Sequence, residues 1–211
     1  LPKAAPSTST RLQTAREHVT RREWAEAVEI LRAAKPDELS AADYELWGFA
    51  VECLGAPSDS LAPLRTAVER YLSEGNAERA AYCAITVAKI HLERSETAIS
   101  RGWLGRASAL LKDAPPGEVQ AYLLWMQARF ASFEGRAEDA LTVADQSLAV
   151  AEASGSRRLQ ALTRVYRGFF AISLGRTREG LEGLGEISIT FPRIGHTLCH
   201  AARTLVAPAI L

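Results

Sequence analysis

The feature that most constrains this chain is a spacing. Stepping by 40 residues from Ala128 gives Gly48, Ala88, Ala128 and Gly168, and the same step gives Gly55, Ser95, Gly135 and Gly175. All eight are small. Three further columns share the step: Ser60, Ser100, Ala140 and Gly180; Leu64, Leu104, Ala144 and Leu184; and Gly75, Pro115, Gly155 and Gly195 at the unit boundary. Self-similarity with a period of roughly 20–50 residues implies a stacked array, in which each unit buries its apolar face only against its neighbours.

The cleanest copy runs from Ala121 to Gly155, AYLLWMQARFASFEGRAEDALTVADQSLAVAEASG. Leu124, Ala128 and Ala131 keep helical spacing up to Gly135, and Ala140, Leu141, Ala144, Leu148 and Ala151 resume the stripe until Gly155. The unit reads as two antiparallel helices joined by one turn. Small residues at 48, 88, 128 and 168 face those at 60, 100, 140 and 180 where the helices cross, because a larger side chain there would push the backbones apart. Gly55, Gly135 and Gly175 suit the left-handed residue that closes a helix, with Ser95 an imperfect copy. Pro115-Pro116-Gly117 ends its helix by forbidding continuation.

These residues resemble the tetratricopeptide-repeat family: the small residue in the first helix (Gly48, Ala88, Ala128, Gly168), the glycine at the hairpin turn, and the small residue opening the second helix (Ala140 and its equivalents). The resemblance extends from about Arg11 to Gly195. Two features depart from it. The unit exceeds the family's usual length of about 34 residues, and the aromatic position one turn after the small residue holds Val51, His91, Ala131 or Ala171. The resemblance implies an all-α fold, a right-handed superhelix of antiparallel helix hairpins forming an α-solenoid. Long units carrying phrases such as LGRTREGLEGL at Leu174–Leu184 are similar to arrays attached to bacterial signalling proteins, including nucleotide cyclases and LuxR-type helix-turn-helix regulators.

In that family the first helices of successive units line the inside of the superhelix. Here the resemblance places Glu45, Phe49, Tyr82, Ile85, Lys89, Tyr122, Trp125, Arg129, Tyr166 and Phe169 on that concave face. Rings supply rigid contact area and cations reach carboxylates, so such a face would grip a protein or peptide partner. The competing reading is that several of these rings simply pack between units. Arg157, Arg158, Arg164, Arg167, Arg176 and Arg178 make the last full unit basic, either as a solvated face or as a contact for an acidic partner.

Composition narrows the function classes. With 25 basic and 25 acidic residues among 211, there is no global field favouring nucleic acid or an anionic membrane. Hydrophobic content of 47% with only 7% aromatic suits helix-on-helix packing. Lysine occurs only at Lys3, Lys35, Lys89 and Lys112, the arginine bias of a GC-rich bacterial genome. Cys53, Cys83 and Cys199 lack framework spacing, which points to reduced thiols and a cytoplasmic setting, with Cys53 and Cys83 packed as small hydrophobes. No apolar run approaches the roughly 20 residues of a membrane span.

In chain order, residues 1–10 read as a linker and 11–211 as one continuous repeat domain, with units near 11–40, 41–80, 81–120, 121–160 and 161–200 and then a partial unit. Trp24, Ala27, Val28 and Leu31 share a face in the shorter first hairpin, whose turn carries Arg22 instead of glycine. Ser40, Asn76 and Ser156 are positioned as helix caps. Pro57 suits the start of a helix that runs to Leu72, with Pro63 placed to bend that helix or delay its start. Ile99, Trp103, Leu104, Ala107 and Leu111 are expected to face inward. Thr190-Phe191-Pro192 should interrupt helix, and His196–Ala207 should form one more. That helix lacks a covering partner for Ala201, Ala202, Leu205, Val206, Ile210 and Leu211, so the chain reads as a fragment whose end offers a face for self-association.

No motif carries catalysis. His196, Cys199 and His200 would share one helix face, but no fourth zinc ligand accompanies them, so ordinary packing is expected and no metal or cofactor. His91 reads as a hydrogen-bonded core histidine. Glu138-Asp139 reads as a solvated first helical turn favoured by the helix dipole. The expected function is a non-catalytic interaction module, the sensor or docking region of a larger bacterial signalling or transcription regulator. The alternative is a peptide or small-molecule effector receptor whose output lies in other domains.

Overall fold

The computed structural model describes residues 8–190. Ten α-helices occur among them and no strand: α1 (Thr8–Thr20), α2 (Trp24–Ala33), α3 (Ala41–Cys53), α4 (Leu61–Ser73), α5 (Ala77–Glu93), α6 (Thr97–Leu110), α7 (Glu118–Phe133), α8 (Ala137–Ala153), α9 (Arg157–Ser173) and α10 (Thr177–Thr190). The chain divides into two compact units, Leu1–Lys112 and Asp113–Leu211. In the first, α1 to α6 pack in sequence, each on the next, and α1 also meets α3. In the second, α7 to α10 do the same, and α7 also meets α9. His196, Cys199 and His200, expected to pack in an ordinary helix over His196–Ala207, lie outside the described residues together with Phe191-Pro192, Gly195 and the apolar end from Ala201 to Leu211.

The turns follow one design. Gly55, Gly75, Gly135, Gly155 and Gly175 all take left-handed φ values between 70° and 78°. At Gly135 the N–H donates to the Ser132 carbonyl at 3.0 Å and the next N–H, of Arg136, reaches back to Ala131 at 2.9 Å. This pattern satisfies carbonyls that a helix end leaves unpaired. The same pair of bonds closes the turns at Arg22 and Ser95, which reach φ of 63° and 61° without being glycine.

The small columns face each other at 88/100, 128/140 and 168/180 as their spacing predicts, whereas Leu64 and not Ser60 lies against Gly48. Ser100 donates to the Ala88 carbonyl at 2.8 Å, both residues being buried. A methyl group on Gly180 would stand 2.6 Å from the Gly168 carbonyl, and one on Gly48 would stand 2.5 Å from Cγ of Leu64. Ala128, Ala140 and Ala144 occupy one apolar cluster with Leu141 and Phe170. Two further interior hydroxyls pair across helices: Ser147 of α8 donates to the Ala121 carbonyl of α7 at 2.8 Å and lies 3.1 Å from the Thr163 hydroxyl of α9.

Several helix boundaries and orientations differ from the expectation. Helix α4 begins at Leu61, not Pro57, because residues 57–60 form successive tight turns, with Ser60 N–H bonded to the Pro57 carbonyl. Pro63 then falls in the first helical turn, where its missing N–H removes no helical bond. Ser40 caps α3 in a reciprocal box with Asp43, and Asn76 caps α5. Ser156 holds the equivalent position before α9 without a side-chain cap bond. Ile99 is exposed, because burying its neighbour Ser100 against α5 turns Ile99 outward. Cys53 is likewise exposed at the end of α3, while Cys83 is fully buried and behaves as a small hydrophobe.

Candidate functional site

In the first unit, α3 and α5 run side by side over α4 and leave a cavity of about 290 Å³ between them. Ala42, Glu45, Leu46, Phe49 and Glu52 line it from α3, and Arg79, Tyr82 and Thr86 from α5, above Leu64 and Tyr71 of α4. On a helix these positions recur every three or four residues, so each helix presents one stripe to the seam. Phe49 is 45% exposed, and its ring is propped edge-on against Trp24 at 5.5 Å.

The cavity's charges are already committed. Glu45 accepts from the Tyr71 hydroxyl at 2.7 Å and from Arg79 Nε at 3.2 Å, with a second Arg79 nitrogen on its other oxygen. Burial and then the Glu45 carboxylate push the Tyr71 phenol above its ordinary range, so it remains a donor. Burial opposes the Arg79 charge, but the Glu45 carboxylate more than restores it. The Arg79 guanidinium also lies over the Tyr82 ring at 4.7 Å. At the other end Lys89 donates to Glu52 at 2.6 Å. What the cavity offers between two neutralised ion pairs is therefore apolar: Ala42, Leu46, Phe49, Leu64 and the Tyr82 ring.

In the second unit the corresponding space between α7 and α9 is filled. Tyr122 stacks on Trp125 with centroids 5.4 Å apart, Tyr166 meets Trp125 edge-on at 5.2 Å, and Phe169 packs on Tyr166 at 5.9 Å. Arg129 lies 5.0 Å from the Trp125 ring and 4.9 Å from that of Tyr166. Tyr122 and Trp125 are buried, whereas Arg129, Tyr166 and Phe169 are half-buried. The residue that stands where Tyr122 does, one period earlier than Tyr82, is Ala42, and that difference in size helps keep the α3/α5 seam open.

The ten predicted face residues thus separate. Glu45, Phe49 and Tyr82 line the cavity and Lys89 closes one end of it. Ile85 is fully buried and does not line it: Tyr82, Thr86 and Lys89 follow the seam at spacings of four and three, which turns Ile85 into the core. Sequence reasoning missed Arg79, Leu46, Glu52 and Thr86, although extending the stripe through Tyr82 and Phe49 by one turn reaches all of them. Of the basic residues on α9, Arg164 pairs with Glu152 and Arg167 with Asp145 and Glu179. Among the described residues no cluster of His, Cys, Asp and Glu could hold a metal, and no helix is long and apolar enough to cross a membrane.

Solved structures with this arrangement are plentiful. The apo form of RapI superposes with a TM-score of 0.72 at 12% identity, over 96% of this chain and 84% of that one. A thermophilic TPR protein of Thermus thermophilus gives 0.61 at 17% identity, over 95% and 100%. The chain has the TPR-like helical-repeat fold. A crystal structure of nearly identical TPR-like repeats of a kinesin light chain from Podosopora anserina agrees, with a TM-score of 0.59 at 14% identity over 86% and 92%. No protein-family model and no curated protein matches the sequence. At these identities the likeness fixes the TPR-like fold and leaves function to the site.

Proposed function

We propose that this chain is a non-catalytic interaction module that binds a protein partner through an extended or helical peptide, anchoring an apolar side chain in the α3/α5 cavity. One observation carries the reading: a cavity of about 290 Å³ whose exposed wall is Phe49 and whose charged groups are already paired. Inserting an uncharged side chain there would leave both ion pairs intact and cover the Phe49 ring. The volume lies just under the range of about 300–1,000 Å³ for small-molecule sites, which favours one anchoring side chain over a larger effector. The wider role proposed with it is the sensor or docking region of a larger cytoplasmic bacterial regulator.

The test is selection from a random peptide display library on the wild-type chain, followed by binding to Phe49→Asp. Enrichment of peptides with a large apolar residue, and loss of their binding to a Phe49→Asp chain of unchanged helicity, is the expected result. Enrichment without an apolar requirement, or binding indifferent to Phe49→Asp, would overturn the reading.

A further inference from the structure

On the second helices of the first unit, Arg65 of α4 and Arg106 of α6 both lie over the half-buried Trp103 ring, 5.9 Å and 5.3 Å from its centroid. A shallow depression of about 310 Å³ beside them is lined by Ile99, Gly102, Trp103 and Arg106, and Ile99 is 47% exposed. Positive charge is in excess here. Arg65 donates to His91 Nε2, and Arg70, further along α4, donates to the Leu39 and Pro36 carbonyls. Of these three arginines only Arg106 meets a carboxylate among the described residues, Glu69 at 2.9 Å, and that pair faces solvent, where a competing carboxylate replaces it at little cost. Gly102 and Gly105 are the glycines of this unit that neither take a left-handed φ nor meet a neighbour, since a methyl on either would stand in open space. Alanine would stabilise α6 at both positions, so the packing of the fold does not account for them. Bare backbone beside Trp103 lets another chain approach closely.

We propose that this α4/α6 groove docks an acidic segment of a protein partner, with a large apolar side chain seated on Ile99 and Trp103 over the bare Gly102, and flanking carboxylates on Arg65 and Arg106. A guanidinium stacked on a ring keeps its N–H donors in its own plane, ready for a carboxylate. The uncompensated charge selects an acidic occupant over a neutral or basic one. The indole and the arginines beside it supply the anchor, being the side chains that most often carry interface energy. The surface lies on the second helices, apart from the α3/α5 cavity, and docking there does not depend on that cavity being occupied.

The experiment selects random displayed peptides on the full chain carrying Phe49→Asp, which disables the α3/α5 cavity, so that a failure there and a failure here are told apart. Peptides in which Asp or Glu flank Leu, Phe or Trp should be enriched and should bind the wild-type chain equally well. Their affinity should fall about tenfold or more with Ile99→Asp and with Arg106→Glu. Gly102→Gln separates docking from folding: its melting temperature should hold or rise, because glutamine is the better helix former, while affinity falls as it does for Ile99→Asp. Enrichment without acidic residues, or binding indifferent to both Ile99→Asp and Gly102→Gln, overturns the proposal. Equal binding of polyglutamate or of phosphatidylglycerol vesicles, unaffected by Ile99→Asp, shows a diffuse attraction to anions and overturns it too.

Discussion

His91 and Glu96 face each other across the α5/α6 turn, with Nδ1 of the imidazole 2.5 Å from Oε2 of the carboxylate. On the far side of the ring Arg65 donates to Nε2 at 2.9 Å, and because arginine has only donors, Nε2 is the acceptor and Nδ1 carries the proton given to Glu96. The same relationship recurs in the first hairpin, where His18 Nδ1 lies 2.6 Å from Glu23. These two turns are the ones whose left-handed residue is not glycine, Ser95 and Arg22. A side-chain bond across the turn therefore accompanies each strained position. Ser95→Gly should stabilise the chain by about 0.5–1 kcal/mol, the left-handed penalty on serine less the extra unfolded-state freedom of glycine. Glu96→Ala should lower the melting temperature, and Ser95→Gly should recover part of the loss; denaturant unfolding of the three variants checks both.

Small residues matter only where the helices touch. Gly180→Ala would bring its methyl within 2.6 Å of the Gly168 carbonyl, whereas Gly185→Ala on the same helix meets nothing within 4 Å. The first should cost about 1–3 kcal/mol through overpacking, and the second should gain up to about 1 kcal/mol through helix propensity. Thermal melts of the two variants moving in the same direction would contradict the crossing.

Ser147 joins three helices of the second unit through the Ala121 carbonyl and the Thr163 hydroxyl. Ser147→Ala should cost about 1–3 kcal/mol, since two buried polar groups then lose a partner. Hydrogen exchange should quicken in α7 and α9 together.

Acid should weaken the α1/α3 contact. Burial alone would raise the Asp43 carboxyl, but the Ser40 hydroxyl and N–H and the Arg16 guanidinium at 2.8 Å outweigh it and hold the group below its ordinary value of 3.8. A carboxyl depressed by folding stabilises fully above its unfolded pKa, and that contribution disappears as pH falls through the folded one. Stability should therefore drop below about pH 4, and Asp43→Asn, already less stable at neutral pH, should show a shallower acid limb in denaturant titrations at stepped pH.

The repeat, the hairpins, the turn positions and the facing small columns were all legible in the sequence. They depend on local rules: helical spacing, left-handed residues at helix ends, and side-chain volume at a crossing that recurs every 40 residues. Which rings became core and which became surface was decided by tertiary structure. Trp125 is buried with Tyr166 of a neighbouring first helix packed against it and Tyr122 stacked on it, while Phe49 stays exposed because its seam contains Ala42 and two ion pairs instead of stacked rings. Nothing in the spacing distinguishes Ile85 from Tyr82 and Thr86 at the seam, since a rotation of the helix by one residue moves the stripe by about 100°. The pairings Glu45 to Arg79 and Glu52 to Lys89 join residues 34 and 37 positions apart, so they exist only once α3 and α5 lie side by side.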